Sequence, residues 1–377
     1  MKHTPISRRD FLKNLGIAGA GTLLAASPWI SAFSEVMNTS NEKCRLAIIG
    51  PGSRGRFLMG FLAENPKVDI VALCDIYKPS IENALKLAPN AKVYGDYREV
   101  LEDKSIDAIL VATPLSSHCK IVLDAFDAGK HVFCEKPIDH DVAKIKEVID
   151  ALKDSNVKYQ VGFNRRFDHN FEAVQKAVAD GKIGDTHIIK ITSRDPEPPC
   201  ADYVKVSGGI FLDMTIHDFD MVRFLAGCNA TEVYVEAAVL VDPAIGEAGD
   251  VDTAVITLKM ENGAIAVIDN SRKAAYGYDQ RAEVFGSKGM VAVSNDSTSS
   301  AVISNADGVT GEKPLYFFLE RYMAAYAKEI KCFIEAIEND TDTPLGVMDG
   351  LQPVLMGLAA KKSLEEHRPV KISEITV

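Results

Sequence analysis

Three side chains in this sequence have the types and spacing needed to move a proton. Lys136 is framed as Glu135-Lys136-Pro137, and Asp213 and His217 stand four apart in the run GGIFLDMTIHDFD at 208–220. Residues four apart share one face of a helix, so a helix over this run sets an acid beside an imidazole. That is an arrangement for general acid-base catalysis, and a lysine delivered to the same place serves as a general base toward a hydroxyl.

A second group binds rather than reacts. Gly50-Pro51-Gly52-Ser53-Arg54-Gly55 follows an apolar strand at 46–49 and leads into an amphipathic stretch at 56–64. Such a turn brings backbone close to a pyrophosphate and aims a helix N-terminus at it, so it predicts a dinucleotide site. Asp75 closes the next apolar run, 70–74, twenty residues after Gly55. A carboxylate there accepts hydrogen bonds from the adenosine ribose and repels a 2′-phosphate, so NAD is favoured over NADP. Arg54 works against that preference, because its guanidinium can pair with a phosphate. Proton-moving groups beside a dinucleotide site predict a dehydrogenase.

The elements that must hold these residues follow in order. Helix-like runs at 79–87, 97–101, 117–128 and 142–154 alternate with strand-like runs at 91–94, 108–112, 131–134 and 158–162. This is a doubly wound α/β pattern, which puts Thr113-Pro114 and Glu135-Lys136-Pro137 at strand C-terminal ends, where ligands lie in an open parallel sheet. After Phe163 the pattern changes. A helix at 170–180 precedes strands at 187–193, 232–240, 253–259, 264–270, 281–286 and 289–294, and Glu261-Asn262-Gly263 makes a hairpin turn between two of them. An open, mostly antiparallel sheet is expected, closed by helices at 322–338 and 350–366, at least one of which packs back on the first domain. The predicted class is α/β: a Rossmann domain at 43–162 and an α+β substrate and oligomerisation domain at 163–377.

The first 32 residues read as a twin-arginine export signal. Ser7-Arg8-Arg9-Asp10-Phe11-Leu12-Lys13 precedes a mild apolar run at 15–26 and then Ser31-Ala32, with a polar linker at 33–42. An apolar run of about 12 residues spans only about 18 Å of helix against a bilayer core of about 30 Å, so a signal rather than a membrane span is expected. The net charge is −11, and −14 without the signal, with no basic patch, which argues against a nucleic-acid partner. The seven cysteines, at 44, 74, 119, 134, 200, 228 and 332, show no metal-ligand spacing, and no metal is expected.

CEKPI at 134–138, GFNRRFD at 162–168 and the 208–220 run together resemble the glucose-fructose oxidoreductase, inositol dehydrogenase and MocA-like family, over nearly all of 43–377. SRDPEPP at 193–199, YVKVSGG at 203–209, DPAIGEAGDVDTA at 242–254 and NSRKAAYGYDQR at 270–281 are similar to its inositol 2-dehydrogenase branch. The resemblance implies a catalytic triad of Lys136, Asp213 and His217. It also implies hydride transfer from a ring carbon of a cyclic polyol to NAD, and assembly as a homo-oligomer, tetramer or dimer. His217 would take the hydroxyl proton and Lys136 would orient the hydroxyl, while Asp213 would fix the imidazole or bind a neighbouring hydroxyl. Which of Lys136 and His217 takes the proton first stays open.

An uncharged polyol needs many hydrogen bonds, which makes Arg165, Asp195 and Tyr278 the substrate-binding candidates. The cofactor candidates are Gly50, Gly52, Ser53, Arg54, Asp75, Thr113, Pro114, His118 and Glu135. The export signal departs from the family's cytoplasmic pattern. It keeps a second reading in play, a periplasmic enzyme with permanently bound cofactor that passes hydride between sugars or cleaves a glycoside without net NAD turnover. An idle sugar-binding protein on the same fold would have lost the lysine or the histidine, and both are present.

Overall fold

The computed structural model describes residues 43–375; the expected export signal and linker lie outside the described residues. Chain order is β1 (Cys44–Ile49), α1 (Ser53–Glu64), β2 (Val68–Cys74), α2 (Lys78–Ala84), β3 (Lys92–Tyr94), α3 (Tyr97–Glu102), β4 (Ala108–Val111), α4 (His118–Asp127), β5 (His131–Glu135), α5 (Val142–Lys153) and β6 (Tyr159–Gly162). All strand pairs in this half are parallel, in the order β3-β2-β1-β4-β5-β6. The strands are short apolar runs with both faces covered, Ala108–Val111 being buried at every position, which a parallel sheet between two helical layers requires. Strand order reverses between β1 and β4, so their C-terminal ends open the crevice where a dinucleotide fits.

The second half begins with a short 3₁₀ turn, Asn164–Phe167, and α6 (His169–Ala179). It continues with β7 (Thr186–Arg194), α7 (Ala201–Ser207), α8 (Gly209–Asp213), α9 (Thr215–Ala226), β8 (Ala230–Ala238), α10 (Pro243–Glu247), β9 (Thr253–Met260), β10 (Ile265–Ser271), β11 (Asp279–Gly286) and β12 (Gly289–Val293). A two-stranded hairpin, β13 (Val302–Asn305) and β14 (Gly308–Gly311), precedes α11 (Phe318–Arg321), α12 (Met323–Glu338), α13 (Val347–Glu366) and β15 (Val370–Lys371). The sheet runs β12-β11-β7-β10-β9-β8-β15 and is antiparallel except where β10 pairs with β7.

Along β7, β9, β10 and β11 alternate residues face inward, among them Ile189, Ile191, Ile256, Leu258, Ile268 and Val284, all buried, with α9 packed on β7 and β10, α6 on β11 and α13 on β8. The opposite face stays open, with Ile188 in register with both Ile265 and Phe285. The hairpin between β9 and β10 turns at Gly263, at φ +86°, as the Asn-Gly pair predicts.

Five features depart from the sequence reading. α7, α10, the β13–β14 hairpin and β15 were not foreseen, because each is too short to impose a period. The 208–220 run is two helices rather than one. Gly208 and Gly209 both have positive φ, so the helix begins only at Gly209, and the chain breaks again at Met214.

Candidate active site

The glycine turn at the end of β1 is shaped for close backbone approach. A Cβ on Gly50 would sit 2.8 Å from Ala112 C and Thr113 Cγ2, and one on Gly55 would sit 2.3 Å from Gly50 O. Gly52 has nothing within 4 Å of such a Cβ, and α1 starts at Ser53 without a side-chain cap, so its first-turn N–H groups face open space. Asp75 follows β2, its Oδ1 accepting from Tyr77 N–H at 2.9 Å. Ile76 beside it is 93% exposed, an apolar surface against which an adenine can lie. Bare N–H groups, a side-chain-free gap and a carboxylate at the strand end fit an NAD.

Three cofactor candidates are placed otherwise than expected. Arg54 does not project toward a phosphate: its Nε donates to Glu135 Oε1 at 2.6 Å, and its guanidinium lies 4.5 Å from the Tyr326 ring of α12. Glu135 is spent on that pair and on Lys136 N–H, and Gly162 leaves room for it, since a Cβ there would be 3.3 Å from Glu135 Oε2. His118 is buried, its ring nitrogens 2.8 Å from Thr113 O and 2.9 Å from Pro137 O. It ties the Thr113-Pro114 loop to the Lys136-Pro137 loop, so it holds the crevice walls rather than lining the crevice.

The break in the 208–220 run creates the centre of the site. In one continuous helix His217 N–H would bond Asp213 O. Here it turns to Met214 O at 3.2 Å, and the freed Asp213 carbonyl accepts from Lys136 Nζ at 2.9 Å. Lys136 Nζ is also 3.5 Å from Asp213 Oδ1. Asp213 does not fix the imidazole, since its carboxylate accepts from Tyr203 OH at 2.9 Å and from Arg272 Nη2 at 3.2 Å. Burial opposes its charge, but Lys136 and Arg272 outweigh burial and hold the carboxyl below the usual range.

His217 packs edge-on against Phe163, with centroids 5.8 Å apart, and its Nδ1 is buried without a partner. Burial first, then the charges of Lys136, Arg165 and Arg54, push its pKa well down, so the ring is neutral.

Of the substrate candidates, Asp195 borders this centre. Arg272 Nη1 donates to it at 3.4 Å, and burial pushes its pKa up to about 6 against the pull of Arg272 and Arg165. Arg165 and Tyr278 are both buried. Arg165 donates to Asp218 Oδ1 at 2.6 Å, to Ser193 Oγ at 3.4 Å and to Tyr278 OH at 3.5 Å, and Asp218 takes a further bond from Asn270 at 2.9 Å. Arg165 braces α9 through Asp218, and Tyr278 backs Arg165. Sequence reasoning missed Tyr203 and Arg272, which hold Asp213 from 10 and 59 residues away; both lie in quoted motifs, and only the fold shows where they point. It also missed Asn164, whose buried Nδ2 has no partner. Among the described residues no group of three or more His, Cys, Asp or Glu is placed to hold a metal.

Two family models match the chain: an oxidoreductase family with an NAD-binding Rossmann fold over residues 44–163, and a GFO/IDH/MocA C-terminal domain over 171–292. The chain is 47% identical over 325 residues to an uncharacterized oxidoreductase, YrbE, of Bacillus subtilis (strain 168), covering 86% of this chain and 95% of that one. It is 45% identical over 331 residues to a myo-inositol 2-dehydrogenase of Thermotoga maritima, covering 88% and 99%. A crystal structure of scyllo-inositol dehydrogenase from Lactobacillus casei, with bound NAD(H) and scyllo-inositol, superposes with a TM-score of 0.82 at 29% identity, covering 88% of this chain and all of that one.

Proposed function

The chain belongs to the oxidoreductase family that joins an NAD-binding Rossmann fold to a GFO/IDH/MocA C-terminal domain, and from that premise we propose that it oxidises a ring hydroxyl of myo-inositol to 2-keto-inositol. The observation that carries this reading is Lys136 Nζ held on the freed Asp213 carbonyl at 2.9 Å, with the bare, neutral His217 ring on the next helix. NAD along the glycine turn supplies the hydride acceptor.

Lys136 orients the reacting hydroxyl, and His217 takes its proton as the C–H bond breaks. Asp213, anchored by Tyr203 and Arg272, keeps the lysine in place and offers its carboxylate to a neighbouring hydroxyl. Asp195 with Arg272 provides a second acceptor and donor for the ring. The test is NADH formation by protein lacking residues 1–32, given NAD and myo-inositol or a panel of aldoses. A sustained rise with myo-inositol supports the reading, and no rise with myo-inositol sinks it.

The Ser7 to Lys13 pattern supports export by the twin-arginine route to the periplasm. Among the described residues no helix is long and apolar enough to cross a membrane. Export favours the second reading, a resident cofactor without net turnover. Retention of one nicotinamide per chain through dialysis, with a single-turnover change on adding sugar, would select it. The in-register patch of Ile188, Ile265 and Phe285 on the open sheet face supports a homo-oligomer, a tetramer or dimer. A monomer by light scattering would exclude it.

A further inference from the structure

Asp213 is fixed from two directions. Its backbone belongs to α8, and its carboxylate accepts from Arg272 Nη2 at 3.2 Å. α8 is a single turn of five residues, seated by the buried Ile210, Phe211 and Leu212, and Gly208 before it supplies no side-chain cap. A turn this short does not fix its own ends. Whatever sets it against Arg272 therefore sets the Asp213 carboxylate, and with it the carbonyl that receives Lys136 Nζ at 2.9 Å.

The loop at 239–252, between β8 and β9 and including α10, reaches both. Asp252 is buried, and its carboxylate accepts from the N–H groups of Leu240, Val241 and Asp242 at 2.8, 2.9 and 3.0 Å, which closes the loop on itself. Its carbonyl accepts from Arg272 N–H at 2.8 Å. Two residues earlier, Asp250 Oδ2 accepts from Ile210 N–H, at the start of α8, at 2.8 Å. The approach is close: Gly209 has φ +78°, and a Cβ on it would come within 2.7 Å of Asp250 Oδ1. Burial is the largest influence on the Asp250 carboxyl and raises its pKa; the charge of Arg272 opposes that rise and the charge of Asp213 adds to it. One short loop is thus bonded at Asp252 to the backbone that carries the guanidinium, and at Asp250 to the backbone that carries the carboxylate.

We propose that Asp250 is a positioning residue of the oxidation: by holding α8 against the Arg272 segment it sets Asp213, and through Asp213 the Lys136 side chain that orients the reacting hydroxyl. The two aspartates of the loop then have separate tasks. Asp252 shapes the loop and ties it to Arg272, and Asp250 applies it to α8. Asp250 acts through Asp213, and its role calls for no contact with substrate or cofactor.

The inference rests on the proposed polyol oxidation, and the test separates the two. Rates of NADH formation are measured for Asp250→Ala, Asp250→Glu and Asp250→Asn, each in the parent and on Lys136→Ala. In the parent, Asp250→Ala and Asp250→Glu should lower kcat about tenfold, whereas Asp250→Asn, which keeps an oxygen for Ile210 N–H, should stay within about threefold. On Lys136→Ala the further loss from Asp250→Ala should be less than about twofold, because the side chain whose placement it serves is already gone. A residue that only stabilises the fold lowers both backgrounds alike. Equal losses in the two backgrounds, or an unchanged kcat in Asp250→Ala, overturn the proposal and leave Asp250 as a loop anchor. If Asp250→Ala does not fold, Asp250→Glu decides by the same comparison. If the parent ignores myo-inositol but oxidises another polyol or an aldose, the substrate reading fails, and the same variants on that substrate still decide the role of Asp250. If the nicotinamide stays bound, the single-turnover rate of its reduction replaces kcat in the comparison.

Discussion

Two sets of ion pairs in this molecule are built differently. Behind the site, Arg165 meets Asp218 at 2.6 Å, Arg166 meets Asp220 at 2.6 Å and Arg321 meets Asp168 at 2.5 Å, every carboxylate buried. At the site, Lys136 meets Asp213 at 3.5 Å, Arg272 meets Asp213 at 3.2 Å and Arg272 meets Asp195 at 3.4 Å. The first set is short and spreads into further pairs, Arg166 with Asp349 at 2.9 Å and Arg321 with Asp296 at 3.1 Å; the second is longer and lies at the helix break before His217, whose buried Nδ1 has no partner. Short, networked pairs mark scaffold, whereas longer pairs near a bare imidazole nitrogen mark where a ligand completes the bonding.

The largest expected effect tests the scaffold side. Arg165→Met leaves Asp218 buried without its cation and should cost about 3–5 kcal/mol of stability in urea unfolding. Unchanged stability would mean that Arg165 belongs with the site after all. On the other side, Lys136→Ala and His217→Ala should each lower kcat at least about a hundredfold, some 2.7 kcal/mol, with NAD affinity and unfolding midpoint nearly intact. A variant that turns over normally, or one that fails by unfolding, would blur the distinction.

Smaller effects sharpen the comparison. Asp75→Ala should shift the NAD to NADP affinity ratio about tenfold toward NADP, read by titrating each cofactor. Asp195 gives the shallowest signal. Its folded pKa of about 6 lies above the unfolded value, so between those two values the folded state holds the extra proton and stability falls as pH rises. The same ionisation should place an inflection near pH 6 in the kcat/KM profile, and Asp195→Asn should remove both slopes. A flat parent profile would move Asp195 into the scaffold.

Legibility followed the same division. The parallel half was readable because each strand is a continuous apolar run and each turn carries its own punctuation, so Gly50, Asp75 and Lys136 could be placed before any contact was known. The Asp213 and His217 pair was readable as chemistry but not as geometry. Four-residue spacing implied one helix face, whereas the left-handed glycines and the break at Met214 hand the Asp213 carbonyl to Lys136 instead. Arg165 and Tyr278 looked like polyol ligands because a forked donor and a hydroxyl suit a sugar. Only burial shows that their bonds are already taken within the protein. Tyr203 and Arg272 were not legible, because what assigns them to Asp213 is a meeting of distant segments.

Arg54, in the turn that opens the fold, rests on Glu135 and on the ring of Tyr326, a residue from the far end of the chain. Glu329, one turn further along α12, is wholly buried, and its backbone carbonyl accepts from Gln160 of β6 at 3.0 Å. The dinucleotide half is therefore not a detachable cassette. A chimera cut after Gly162, or an exchange of second halves between distant relatives, separates residues 54, 135, 160, 326 and 329 that have to be inherited together. Recombination within this lineage should succeed where the crossover carries α12 with the first half, and should yield poorly folded protein where it does not.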